Sequence, residues 1–175
     1  MKLPIEGGCD CRAVRYRLTR PPLVVNCCHC RWCQRETGAS FALNAVIESA
    51  CLELTAGEPV LVLTPSQSGY GQQIARCPSC HVALWSHYST AGPATCVVRV
   101  GTLDNPDDFP PQAHVFVASR QPWVQLSPDV PQFEAYYELA QIWSAESLAR
   151  RRAIQPQIDA WQATRQRMAP PAPPR

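Results

Sequence analysis

The chain has 175 residues, ten of them cysteine and 18 proline, with a formal net charge of +2. That length fits one ordinary domain with room for a terminal extension, and a 46% hydrophobic content is enough for a core. The near-neutral balance excludes a broad cationic nucleic-acid footprint, and no stretch approaches the ~18 apolar residues of a membrane helix.

The N-terminal MKLPIEGGCDC holds one lysine, an early proline and no continuous apolar run, whereas a secretory signal needs roughly 7 to 15 such residues. A soluble cytoplasmic protein is expected, and in a reducing compartment ten cysteines point first to metal. Strand-like runs follow in order: AVRYRL (13–18), LVVNCC (23–28), ALNAVI (42–47), CLELT (51–55), PVLVLT (59–64), QQIARC (72–77), TCVVRVG (95–101) and HVFVAS (114–119). Between them lie breakers such as RPP, AGEP and TAGPAT, a pattern that predicts an all-β domain over 1–130 rather than βαβ units.

The character then changes. QFEAYYELAQIW is apolar and irregular. Ser144 can cap a helix over SAESLARRRAI, with Glu146 in its first turn and Arg150, Arg151 and Arg152 later, the order the helix dipole favours. Pro156 suits the first turn of a second helix, on which Ile158, Trp161 and Met168 could share a face. These helices make a C-terminal extension over 131–168, which could support a homo-oligomer or shield a sheet edge. The proline-rich 169–175 reads as extended or disordered.

The cysteines sort by spacing. Metal, disulfide, nucleophile and plain burial are all open at first. Cys9 and Cys11 form C-x-C, and Cys77 and Cys80 form C-x-x-C on a turn pre-set by Pro78. Two such pairs can supply four thiolates to one tetrahedral structural zinc, which would staple the two ends of the β domain. The stretch CCHCRWC (27–33) offers Cys28, Cys30 and Cys33, three thiolates that can surround a second zinc and leave its fourth position open, as reactive sites do. Cys27 alternates away and reads as a buried strand cysteine. His29, between two ligands, reads as a supporting or substrate-facing group. Cys51 and Cys96 read as core packing.

The segments GGCDCRAVRYRL, CCHCRWCQRETGASF, RCPSCHVALW, VGTLDNP and FVASRQPW, spanning residues 7 to about 123, resemble the glutathione-dependent formaldehyde-activating enzymes, a family that includes centromere protein V. The resemblance implies a mainly β, zinc-stapled Mss4-like (β-tent) domain carrying two zinc ions per chain. It implies a structural zinc on Cys9, Cys11, Cys77 and Cys80, and a catalytic one on Cys28, Cys30 and Cys33. Two departures stand out. The family places glycine where this chain has Arg12 and His81, positions where a metal-binding turn often takes a positive φ.

The resemblance further implies carbon–sulfur lyase or synthase-type chemistry that joins a small thiol such as glutathione to formaldehyde or another aldehyde. A site with three thiolates carries net negative charge, which favours presenting a substrate thiolate over strong Lewis-acid catalysis. Arg31, Arg35 and Ser40 are the nearest candidates for a substrate rim, although solvated surface charge is the better reading of the two arginines. Trp32 and Phe41 could wall the site or pack the core, and Trp123 reads as structural. Two other readings compete: a non-catalytic zinc-stabilised interaction module, and a thiol-based redox or metal sensor. The +2 charge and the short RRR at 150–152 argue against direct nucleic-acid binding.

Overall fold

The structure is a computed structural model that describes residues 2–66 and 71–168, without the side chains of the last two residues of the final helix. It is mainly β. A small antiparallel sheet joins β1 (Ile5–Gly8), β2 (Arg15–Leu18) and β5 (Leu52–Ala56). A larger sheet is built from β3 (Val24–Cys28), β4 (Ala42–Glu48), β6 (Val60–Thr64), β7 (Gln72–Arg76), β8 (Ala83–Tyr88), β9 (Thr95–Arg99), β10 (Ala113–Val115) and β11 (Gln132–Phe133). Its spatial order is β11-β10-β3-β4-β9-β8-β7-β6, parallel on both sides of β10 and antiparallel elsewhere.

Register decides which residues face which core, because side chains alternate along a strand. Val25, Ala45, Val98 and Trp85 lie side by side across β3, β4, β9 and β8. They pack with Tyr16 and Leu18 of the small sheet, and with Val14 just before β2, in the first core. The residues one step along point to the opposite face. There Val24, Cys28 and Ala42 meet Tyr137 and Trp143 from the C-terminal stretch, forming a second core. The extension therefore covers the back of the large sheet.

Two helices carry that extension. Ser144 caps α2 (Ala145–Ala153), its hydroxyl accepting from the Ser147 amide at 3.0 Å, as the sequence predicts. Arg150 leaves the surface entirely: its guanidinium donates to both carboxylate oxygens of Glu48 on β4, at 2.8 and 2.6 Å, and to the Pro21 carbonyl. The RRR stretch is thus partly an internal clamp. In α3 (Gln155–Met168), Ile158 is fully buried, and Trp161 donates its indole N–H to the Ser89 carbonyl at 3.1 Å. Gly92 (φ 54°) makes that docking possible, since a Cβ there would sit 2.4 Å from the Trp161 ring. The Met168 side chain and the proline-rich 169–175 fall outside what is described.

Three features depart from the local sequence pattern. β8, with Ser86 and His87 in its middle, has no β-branched run and forms through pairing with β7 and β9. HVFVAS does not continue as a strand: Phe116 turns left-handed (φ 57°) and leads into a 3₁₀ turn, so that the Ser119 hydroxyl reaches the His29 carbonyl at 3.0 Å. The stretch after Cys30 is a short helix, α1 (Arg31–Thr37). No described helix is long and apolar enough to cross a membrane.

Candidate metal centres

All ten cysteines are free of disulfide bonds. The turn between β1 and β2 and the turn between β7 and β8 face each other and bring together Cys9, Cys11, Cys77 and Cys80, whose sulfurs all lie within 4.8 Å of one another. The sulfur–sulfur separations of 3.5 Å for Cys9–Cys11 and 3.6 Å for Cys11–Cys77 are close to the about 3.8 Å edge of a tetrahedron with zinc–sulfur bonds near 2.3 Å. The two turns share one construction. Cys9 takes an amide hydrogen from Val14 at 3.3 Å and Cys77 one from Ser79 at 3.4 Å. Arg12 donates its amide to the Cys9 carbonyl, and His81 to that of Cys77. Arg12 and His81 both sit at positive φ, 61° and 62°. The departures from glycine therefore keep glycine's conformation. Backbone donors lower the Cys77 thiol to about 6, the Cys80 amide first among them. Donors that favour a thiolate suit a metal ligand.

Cys28, Cys30 and Cys33 likewise fall within 4.8 Å of one another. Cys28 ends β3. Cys30 is the N-cap of α1, its sulfur accepting from the Cys33 amide at 3.3 Å. Cys33 lies in the helix's first turn, and Gly38 (φ 68°) closes the helix with its amide on the Gln34 carbonyl. The seven-residue helix is too short to stand alone. Gln34 anchors it, donating to the carbonyls of His29 at 2.7 Å and Ser119 at 3.0 Å. Hydrogen bonds from Cys28 and then Cys33 hold the Cys30 thiol down at about 2, while the same contact with Cys30 and burial drive Cys28 far up. Cys28 and Cys33 are buried and Cys30 is partly exposed.

Cys27 points to the other face, as alternation predicts, and is buried. His29 is completely buried between Cys27, 3.5 Å away, and His114 of β10, whose Nδ1 lies 3.0 Å from His29 Nε2. Those three atoms also cluster closely enough for a cation. The short nitrogen–nitrogen contact, however, has the length of a hydrogen bond between two neutral rings. Burial first, then His114, lowers His29 to about 4, so it stays neutral. His114 had no local signal in the sequence. It reaches His29 only because β10 lies parallel to β3 with His114 opposite Cys27.

The remaining candidates separate. Trp32 packs on the second core and donates to the Pro65 carbonyl at 2.9 Å. Phe41 is 41% exposed, with its ring 5.6 Å from that of His29. Arg31, Gln34, Arg35, Ser40, Gln121 and the 72% exposed Trp123 line an open concavity of about 790 Å³ beside α1. Cys96 is buried in the first core and Cys51 packs against it.

On the face that carries Cys28, the structure adds groups that local spacing did not reveal. Asn26, Asn44 and Arg99 stand in register across β3, β4 and β9. Arg99 Nη1 donates to the Asn44 Oδ1 at 2.5 Å. Tyr136 accepts from the Asn26 amide at 3.1 Å, and Tyr137 donates to its carbonyl oxygen at 2.8 Å. Burial lowers the Arg99 guanidinium, and Cys33, Glu36 and Cys28 pull it back up. Burial, then the charges of Cys30, Cys33 and Cys28, raise the Tyr88 phenol, which stays protonated.

A family model described as glutathione-dependent formaldehyde-activating enzyme matches residues 4–119. A Halomonas elongata protein named "Putative glutathione-dependent formaldehyde-activating enzyme" is 26% identical over 127 residues, covering 70% of this chain and 80% of that one. A crystal structure of a Rhodobacter sphaeroides protein aligns over 73% of this chain and 99% of its own, at 18% identity and a TM-score of 0.45. The matched residues include both sulfur clusters, and the chain belongs to the glutathione-dependent formaldehyde-activating enzyme family.

Proposed function

We propose that this chain joins a low-molecular-weight thiol of the glutathione kind to formaldehyde or another small aldehyde, at a zinc ion held by Cys28, Cys30 and Cys33. Cys9, Cys11, Cys77 and Cys80 hold a second, structural zinc. Residues 1–130 form the reacting β domain and 131–168 its helical extension. Ten unpaired cysteines suit a reducing compartment, the cytoplasm. The observation that carries the reading is the difference between the two clusters: four sulfurs close together in one, and three, one short of a closed tetrahedral set, in the other.

A zinc ion with three protein ligands supplies a fourth position at which a thiol is held as thiolate. The chain's own groups do the rest. Cys28 and Cys33 are buried beneath the second core, which keeps water from surrounding the sulfurs. The Cys33 amide on Cys30 fixes that ligand's direction. In the reaction a carbon–sulfur bond forms, the carbonyl π pair moves onto oxygen, and the proton that left the thiol ends on that oxygen. The product is R–S–CH₂–OH, and reversal is cleavage of the same bond.

Exchange-transfer NMR between free and thiol-bound formaldehyde tests this reading. The zinc-loaded protein should speed exchange above the uncatalysed rate, and Cys30→Ser should return it to that rate. Equal exchange with and without the protein would remove the reading.

A further inference from the structure

The sheet face that carries Cys28 holds a row of polar groups, several of whose buried atoms have no protein partner. Side chains directly opposite one another on paired strands share a face. Cys28 and Asn26 on β3, Asn44 on β4, Arg99 on β9, Ser86 and Tyr88 on β8 and Gln72 on β7 follow one another across that face by register. Among the described residues, Arg99 Nε and Nη2, the Ser86 hydroxyl and both amide atoms of Gln72 have no hydrogen-bond partner. Gln72 is 2% exposed and Ser86 1%. Leaving such groups buried and unmatched is costly, so a cluster of them beside a reactive centre calls for a ligand.

Arg99 carries the chemistry. It is bound on one nitrogen, by Asn44, which aims the guanidinium and leaves two nitrogens free. Glu36, a nearby carboxylate, is already paired with Arg76. With strands about 4.8 Å apart and about 3.4 Å per residue, Arg99 starts two strands, roughly 10 Å across the sheet, and two residues, roughly 7 Å along it, from Cys28. Its side chain can bridge part of that span. A guanidinium with free donors at this distance matches a carboxylate a few bonds from a sulfur held by Cys28, Cys30 and Cys33. Beyond it, Gln72 offers both a donor and an acceptor, the complement of a peptide amide.

We propose that Arg99 is the specificity-determining residue of the three-cysteine site, taking a carboxylate of the thiol substrate, with Gln72 and Ser86 meeting its amide or hydroxyl groups. This deepens the proposed function and rests on it for the identity of the substrate as a thiol. A plainer role is open to Arg99: one positive charge offsetting a zinc with three thiolates. The two roles differ in what they read. An offsetting charge is indifferent to the far end of the substrate.

The test uses the zinc-loaded full chain and a probe whose sulfur is blocked, S-methylglutathione, against its diethyl ester, with binding followed by calorimetry. The acid should bind at least about tenfold more tightly than the ester, the worth of a hydrogen-bonded charge. Arg99→Lys, which keeps the charge and loses the fork, should narrow that ratio to about threefold or less with metal content unchanged. Equal binding of acid and ester, no binding of either, or an unchanged ratio in Arg99→Lys would overturn the assignment. Formaldehyde exchange in the same preparations separates the two ideas. Carboxylate selectivity without exchange would sink the reaction and keep the subsite, whereas exchange without selectivity would do the reverse.

Discussion

Arg12 and His81 adopt the same left-handed backbone conformation, φ 61° and 62°, on the two turns that build one four-sulfur cluster. Each follows the second cysteine of its pair, and each donates its amide to the carbonyl of the first. A side chain held there costs about 1 kcal/mol or more. Glycine would remove that strain but add freedom to the unfolded chain, taking back part of the gain. Arg12→Gly and His81→Gly should each raise stability by roughly 0.5–1 kcal/mol in urea denaturation of metal-saturated protein. A loss in either variant would mean that its side chain makes contacts worth more than the strain.

The metal clusters differ in what their loss should do. Cys77 is fully buried, and its cluster ties the β1–β2 turn to the β7–β8 turn, so Cys77→Ser should unfold much of the β domain. Structural zinc sites supply about 10–16 kcal/mol of apparent binding energy that is also folding energy. Cys30→Ser is milder. Serine is a good N-cap, so it keeps a partner for the Cys33 amide and α1 persists while the metal ligand goes. Elemental analysis should find two zinc ions in the parent and about one in a folded Cys30→Ser. One in both proteins would show that the three-cysteine cluster holds none.

What could be read in the sequence was local. Runs such as VVNCC and VLVLT carry their strand preference in their own residues, and C-x-C and C-x-x-C put two ligands on one turn, so the strands and the sulfur sets were visible at once. Ser144 marked the start of α2 in the same way. β8 was not visible, because ALWSHY becomes a strand through its neighbours. Arg99, Asn44 and His114 were not visible either. Each is ordinary alone, and only sheet register places them beside Cys28 or His29 from 16 to 85 residues away. The extension's composition suggests a dimer support or an edge shield, and the structure adds a role that composition does not show: Tyr137 and Trp143 pack on the sheet face behind the three-cysteine site.

Glu48 and Arg150 tie that extension down. Their side chains are 8% and 7% exposed, and two hydrogen bonds join them. Glu48→Gln would leave Arg150 buried without a counter-charge, and should cost about 3–5 kcal/mol in chemical denaturation. The pH dependence follows the same pair. Burial pushes the Glu48 carboxyl up, but the Arg150 hydrogen bonds outweigh it and hold it below its ordinary 4.5. A carboxyl depressed in the folded state adds stability above its unfolded value and loses it as pH falls through the folded one. The parent should therefore lose, on acidification below about 4.5, a contribution that Glu48→Gln lacks. Parallel acid profiles in the two proteins would show that the pair adds nothing.

Gly92 and Trp161 fix the far end of the extension. The glycine lies at φ 54°, and a methyl group there would come 2.4 Å from the indole ring, a contact no real Cβ makes. Trp161 cannot back away freely, because its N–H is held by the Ser89 carbonyl at 3.1 Å. Gly92→Ala therefore faces two penalties, the left-handed backbone and the collision, together about 2 kcal/mol or more. The β domain makes no use of that contact, so the cost should fall on α3 alone. Hydrogen exchange should accelerate over residues 155–168 in Gly92→Ala, with β3, β4 and β9 protected as before. Trp161→Ala should loosen the same helix, and the double variant should be no worse than Trp161→Ala by more than the backbone strain of about 1 kcal/mol, because the collision is gone. Exchange that rises across the large sheet as well would instead mean that the extension and the sheet unfold as one unit.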